Sequence, residues 1–282
     1  MAVKARSLPV LGPQGFVTLA YWEWDAPPGA PVVICLHGLA GNGRHFDMLA
    51  EGLAGRFRVV CPDMPGRGRS DWLDDPKGYN FPFYLGTAAA LYARLDVATV
   101  DIVGTSMGGL IGMMMASLPK SPVRRLVLND VGPLVPREGL ARIGHYIAED
   151  RSFSNRQELE AYYRTVHAGS GPLDEAHWRH LVAHGARTRP DGKLGLAYDP
   201  KIGHAFQAAP LGDVDFWPLY DRVTCPTLAI RGAQSDLLRL ADAQAMTERG
   251  PRARLVELPG IGHAPALMAS DQIALVRDFL TA

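Results

Sequence analysis

Val100-Asp101-Ile102-Val103-Gly104-Thr105-Ser106-Met107-Gly108-Gly109 joins a short β-branched run to an apolar stretch, Leu110–Ser117, that has helical spacing. Between the two, Gly104-Thr105-Ser106-Met107-Gly108 forms a G-x-S-x-G turn, in which a strained strand-to-helix reversal exposes the serine hydroxyl. The flanking glycines remove crowding against neighbouring backbone, and Gly109 lets the helix approach the strands. A serine presented this way is a candidate nucleophile.

Outward from this turn the same alternation repeats. Strand-like runs occur at Pro31–Leu36, Arg58–Cys61, Val100–Val103, Arg125–Leu128, Thr227–Ile230 and Arg254–Leu258, with an entry hairpin over Phe16–Trp24. Helical spacing falls at His45–Leu53, Pro82–Arg94, Met107–Leu118, Ala241–Glu248 and Gln272–Leu280. Near-continuous apolar strands between helices are what a mostly parallel sheet covered on both faces requires, so the fold class is α/β. From Asp130 to Pro226 no run resembles a buried strand, whereas Leu140–Glu149, Arg156–Val166, Leu173–Ala183 and Ile202–Ala208 read as helices. Such a block is too long for a crossover and predicts a helical insertion over the sheet, a cap spanning 133–217 between core segments 1–132 and 218–282.

Composition removes several classes of partner. The chain has 282 residues with 29 basic and 29 acidic side chains, and no basic stripe that would suit nucleic acid. With 47% hydrophobic and 21% charged residues it can bury a sizeable core. Its longest apolar runs are far below the roughly 18 residues of a membrane span. The first residues lack an apolar stretch suited to a secretory signal, which sets the expected location as cytoplasmic. Cys35, Cys61 and Cys225 are odd in number, far apart and set in or beside apolar runs, so they read as packing residues, and no metal-ligand spacing is present. Oligomeric state is not legible in the sequence.

A serine hydroxyl needs a base, and the base needs a group that holds its tautomer. Of nine histidines, His263 alone follows a late strand in a glycine-rich turn, Leu258-Pro-Gly-Ile-Gly-His263. Asp236, just past the preceding strand, is the expected acid; Asp130, at the end of Leu126-Val-Leu-Asn-Asp130, is the rival, read as a strand-end residue bonding into the local turn. Ser106, Asp236 and His263 follow the order Ser, Asp, His. The N–H groups of Met107 and Leu39 are the expected oxyanion donors, with His37 bracing the loop that carries Leu39 and Asp63 anchoring the next glycine-rich turn. In the insertion, Arg142, His145 and Tyr146 fall at i, i+3 and i+4 and with Trp217 are candidate substrate-binding residues.

Taken together, His37-Gly38, the segment Asp63-Met-Pro-Gly66-Arg-Gly68-Arg-Ser70, the turn around Ser106, Asp236 and Gly262-His263 resemble the lid-bearing branch of the α/β-hydrolase superfamily over residues 31 to 265. The resemblance implies an eight-stranded, mostly parallel sheet, a helical cap after the sixth strand, and chemistry without metal or cofactor. It also implies that some relatives take the acid from the earlier strand, where Asp130 lies. Haloalkane dehalogenases and epoxide hydrolases carry Asp at the turn, so Ser106 speaks against those reactions. Carbon–carbon hydrolases of ring-cleavage products typically place Trp after the histidine, where this chain has Ala264-Pro265. The expected activity is hydrolysis of a small or medium soluble carboxylic ester. Carbon–carbon or lactone hydrolysis, acyl transfer, and a ligand receptor built on the same fold are the alternatives.

Overall fold

Strand pairing in the computed structural model, which describes residues 3–204 and 212–282, builds one eight-stranded sheet. Its strands are β1 (Lys4–Gly12), β2 (Gly15–Trp24), β3 (Val32–Leu36), β4 (Arg58–Pro62), β5 (Val100–Thr105) and β6 (Val123–Asn129). After five short strands, β7 (Leu134–Val135), β8 (Ser152–Phe153), β9 (Ala186–Thr188), β10 (Leu194–Leu196) and β11 (Val214–Asp215), come β12 (Thr227–Gly232) and β13 (Arg254–Leu258). The order across the large sheet is β1-β2-β4-β3-β5-β6-β12-β13, parallel from β4 to β13, with β1 and β2 antiparallel. The first hairpin runs longer than the sequence reading gave. Strand β1 buries only Leu8 and Val10, so it has no apolar run to announce it.

Helices cover both faces, and the alternation of side chains along each strand decides which core a residue joins. Val33, Cys35, Val59, Cys61, Val103, Val127, Leu228 and Ile230 pack with α1 (Asp47–Leu53) and the C-terminal helix Ser270–Thr281. Val32, Ile34, Leu36, Val60, Ile102, Leu126, Leu128 and Ala229 face the other way, against α2 (Phe81–Arg94) and α3 (Met107–Ala116). All three cysteines are free thiols, and Cys35 and Cys61 are buried as small apolar residues in the first of these cores.

Between β6 and β12 the chain forms α4 (Arg137–Ile147), α5 (Arg156–Val166), α6 (Glu175–Gly185) and α7 (Trp217–Tyr220). It is mixed rather than purely helical: β8, β10 and β9 make a three-stranded sheet, and β7 pairs with β11. These strands of two or three residues are too short to show periodicity. Of the helix expected at Ile202–Ala208, Ile202 and Gly203 belong to a 3₁₀ turn, Pro200–Gly203, His204 is helical, and 205–208 lie outside the described residues. Ile143, Ile147, Leu159, Tyr163, Trp178 and Leu181 of this segment join the same core as α2 and α3, and Tyr79 donates to Asp199 at 2.7 Å. The segment therefore packs on the α2–α3 side of the sheet. Two further helices, α8 (Leu240–Ala245) and α9 (Ser270–Thr281), complete the fold.

Candidate active site

Ser106 sits between β5 and α3 with φ 52° and ψ −118°, a conformation that L-residues rarely adopt. The glycines around it are a steric requirement. A Cβ on Gly104 would lie 2.5 Å from the Gly108 backbone, and one on Gly108 would overlap the Leu36 carbonyl. Ser106 N–H donates to Asn129 O at 3.0 Å, and the Asn129 side chain donates to Thr105 Oγ1 (3.0 Å) and Pro265 O (2.9 Å). The serine turn, the end of β6 and the histidine loop are thus tied to one another.

Ser106 Oγ lies 3.0 Å from His263 Nε2, and His263 Nδ1–H donates to Asp130 Oδ2 at 2.8 Å. Asp130 is fully buried one residue past β6, and its carboxylate also accepts from Gly232 N–H (2.7 Å) and Ser235 Oγ (2.6 Å). The carboxylate fixes the imidazole tautomer so that Nε2 faces the serine, the arrangement in which a histidine can take a hydroxyl proton.

The expectation for Asp236 is corrected here. Asp236 lies four residues beyond the end of β12 and its carboxylate accepts from Arg142 Nε (2.6 Å) and Nη2 (3.0 Å), not from His263. Partial burial pushes the Asp236 carboxyl up, but the Arg142 guanidinium more than offsets this and holds it below the usual carboxylate range. Asp130, expected to brace a local turn, is the carboxylate at the imidazole.

Two cavities meet at Ser106, and Leu39 and Ile143 also line both. The smaller, about 140 Å³, is bordered by His37, His45, Arg142, Tyr146, His167, Ser170 and His263. The larger, about 440 Å³, is bordered by Phe81, Tyr84, Met107, Leu110, Val135, Leu140 and Phe216, and is almost wholly apolar.

The loop after β3 is rigidly held. His37 is buried, and burial depresses its pKa to about 3, so the ring is neutral. Its Nδ1–H donates to Gly38 O (2.7 Å) while Nε2 accepts from Met64 N–H (2.9 Å). Gly38 O also accepts from Gly41 N–H at 3.0 Å. Because a peptide is planar and trans, pinning the Gly38 carbonyl fixes the direction of the Leu39 N–H. The buried Arg67 guanidinium holds the next carbonyl, Leu39 O, at 2.9 Å. Met107 is the first residue of α3, so its N–H has no intrahelical acceptor. Asp63 anchors the following turn by accepting from Gly43 N–H (2.7 Å) and Arg69 N–H (2.9 Å).

Of the expected substrate-binding residues, Arg142 and Tyr146 line the smaller cavity, with Arg142 already bonded to Asp236. Trp217 borders neither cavity; it packs edge-on to Tyr220 and beneath the Arg249 guanidinium, 4.0 Å from the ring centre. His145 is on α4, but its side chain lies outside the described residues. Sequence reasoning missed His45, whose only signal was its place in the loop after β3. Among the described residues one group has metal-ligand geometry, Asp47, His180 and His184. Two of the three are engaged: Arg44 grips the Asp47 carboxylate from Nε (2.8 Å) and Nη2 (2.5 Å), and His180 Nε2 lies 2.8 Å from Arg44 O. Among the described residues no helix is long and apolar enough to cross a membrane.

A family profile described as alpha/beta hydrolase fold matches residues 31–268. The chain is 43% identical over 281 residues to the 3-hydroxybutyrate-oligomer hydrolase of Cupriavidus necator, covering 96% of this chain and 95% of that one. It is 30% identical to the pimeloyl-[acyl-carrier protein] methyl ester esterase of Chromobacterium violaceum, across 84% of this chain and 89% of the relative. The crystal structure of an α/β hydrolase from Novosphingobium aromaticivorans superposes with a TM-score of 0.89 at 36% identity, over 100% of this chain and 99% of that one. The chain belongs to the α/β-hydrolase family and is a hydrolase of that family.

Proposed function

We propose that this α/β hydrolase cleaves carboxylic esters through an acyl-enzyme on Ser106, with His263 carrying the proton and Asp130 orienting the imidazole. The observation that carries the reading is the hydrogen-bonded row Ser106–His263–Asp130 at the point where the two cavities meet. His263 Nε2 takes the Ser106 proton as Oγ attacks the ester carbonyl. The oxyanion is met by the N–H groups of Leu39 and Met107, each such donor typically contributing about 10²–10³ in kcat. Collapse expels the alcohol, which receives the proton from His263. Water then enters, gives its proton to the same nitrogen, and releases the acid. As the acyl bond to Ser106 Oγ breaks, His263 returns the water-derived proton to that oxygen, so the serine proton leaves with the alcohol and one from water replaces it.

The insertion, 133–217, is the cap that closes the apolar side through Val135, Leu140 and Ile143. A relative named 3-hydroxybutyrate-oligomer hydrolase, 43% identical over nearly the whole chain, supports a short oligoester of a hydroxy acid as the substrate class, and a second relative, named a methyl ester esterase, supports ester cleavage. An apolar cavity on one side of the serine and a polar one on the other suits an ester whose two halves differ in polarity.

The test is a turnover panel of methyl and p-nitrophenyl esters of graded chain length and hydroxy-acid dimers, with lactones, vinylogous diketones and added alcohol acceptors alongside. Wild type should prefer the open esters, and Ser106→Ala should lose about 10⁴-fold or more in kcat with an unchanged circular dichroism spectrum. Equal turnover by Ser106→Ala would remove the assignment, and preferential turnover of diketones or lactones would replace the substrate class.

A further inference from the structure

In the smaller cavity one buried polar atom has no hydrogen-bond partner among the described residues: His45 Nε2. A buried imidazole nitrogen left unmatched costs free energy comparable to a lost hydrogen bond, so a partner is expected from whatever fills the cavity. The ring is held in place. It stands edge-on to His167, 6.2 Å between centroids at 77°, and His167 stacks on Tyr163 at 5.5 Å. Tyr163 in turn donates to Gly185 O at 3.1 Å, and the His45 N–H donates to Asn42 O at 3.1 Å. The nitrogen is therefore preorganised, as a specificity contact must be.

The charge state of this lobe decides what it can recognise. Burial holds His45 well below the ordinary histidine range and His167 at about 4, so both rings are neutral near pH 7. Among the described residues the one arginine or lysine on this cavity wall, Arg142, is bonded twice to Asp236. A substrate carboxylate would enter without a free countercharge and lose its hydration, a cost of several kcal/mol. An uncharged hydroxyl loses little and satisfies the orphaned nitrogen. His45 and Ser106 line the same cavity, of about 140 Å³, so a group bonded to His45 belongs to a substrate whose carbonyl is presented to Ser106.

We infer that His45 Nε2 is a specificity contact for an uncharged hydroxyl on the part of the substrate held in the polar lobe, so that this lobe selects hydroxyacyl esters over their deoxy counterparts. The inference deepens the ester-hydrolase reading and rests on it for the identity of the cavity. A site built to bond a hydroxyl discriminates strongly against an analogue lacking it, because the protein group is then left unpaired.

The experiment uses full-length Ser106→Ala protein labelled with ¹⁵N-histidine, titrated with methyl 3-hydroxybutyrate and with methyl butyrate. The hydroxy ester should bind about tenfold tighter, which is one hydrogen bond's worth of discrimination, and should move the His45 Nε2 resonance while methyl butyrate leaves it in place. Introducing His45→Phe should bring the two affinities within about twofold, and His45→Gln, whose terminal amide reaches the same position, should restore part of the ratio. His45→Leu removes the nitrogen with less bulk and replaces the Phe variant if that one loses its native spectrum. Equal binding of the two esters, or a ratio that survives removal of the nitrogen, overturns the inference. Failure of the catalytic reading shows separately, as cleavage of either ester by the Ser106→Ala protein.

Discussion

His263 Nδ1 bonds to Asp130 Oδ2 at 2.8 Å, while the carboxylate of Asp236 faces the Arg142 guanidinium. The two acids follow adjacent strands, Asp130 directly after β6 and Asp236 four residues after β12, and only the first reaches the imidazole. Asp130→Asn should therefore lower kcat by about 10³–10⁴, because the amide presents a donor to Nδ1 and turns the histidine to the wrong tautomer. Asp236→Asn should stay within about fivefold of wild type on neutral esters, since an exposed ion pair contributes little. Steady-state kinetics on one neutral ester compares the pair directly, and the opposite ranking would move the acid to Asp236.

Arg142 lies on the wall of the smaller cavity with its charge matched by Asp236. Removing that match with Asp236→Asn frees a guanidinium to meet a substrate carboxylate. The ratio of kcat/KM for a half-ester of a dicarboxylic acid over its neutral methyl analogue should rise about three- to tenfold, and Arg142→Gln should abolish the rise. An unchanged ratio in both variants would take Arg142 out of substrate contact.

Gly108→Ala tests the close packing beneath the nucleophile. The added methyl would overlap the Leu36 carbonyl, and neither β3 nor α3 can retreat without opening the core. A loss of about 3 kcal/mol or more is expected in urea melts, with little soluble protein at 37 °C. A stable, active Gly108→Ala protein would show that the helix can shift.

Acid should destabilise the fold through its buried neutral imidazoles. Burial sets His37 at about 3 and His167 at about 4, against an ordinary value of 6.5. Between these limits the unfolded chain binds more protons than the folded one. Their contribution is complete above pH 6.5 and declines as the pH falls. Asp63, pushed up to about 6 by burial from its ordinary 3.8, acts in the opposite sense between those two values. Each group changes stability by about 1.4 kcal/mol per pH unit in its window, so the two histidines outweigh the one acid. His45, which burial also holds well below the ordinary range, and His184, at about 4, act in the same sense, so urea melts should lose about 2 kcal/mol or more between pH 6.5 and 5. A flat profile would mean that these rings are hydrated or charged in the native protein.

Ser106 and His263 were readable in the sequence because local sterics mark them. A serine between glycines at a strand end, and a histidine in a glycine-rich loop after the last strand, are constraints that the chain expresses within a few residues. The parallel strands were readable for a similar reason, since Val32–Leu36 is buried on both faces and carries no polar interruption. The choice between Asp130 and Asp236 depends on which strand end the imidazole can reach, and no neighbouring residue records that distance. One clue was available: Asp130 follows its strand directly, whereas Asp236 is four residues past β12, far enough to swing to α4. The two- and three-residue strands of the insertion were invisible because pairing, not composition, defines them. Trp217 shows the converse error, in which an aromatic suited to a pocket serves instead as a platform for Arg249.

With the proposed acid just past β6, everything the proposed nucleophile needs except its base comes from the first 130 residues: the loop of Leu39, the elbow of Ser106 and Met107, and Asp130 itself. His263 alone arrives from the far end of the chain. Damage confined to the last strand and helix would leave a serine correctly displayed yet unable to shed its proton. Such a protein would survive every inspection of its elbow and still be silent toward both esters and fluorophosphonate labels. Quality control of variants should therefore watch the C-terminal third, where a small displacement disconnects an otherwise finished machine.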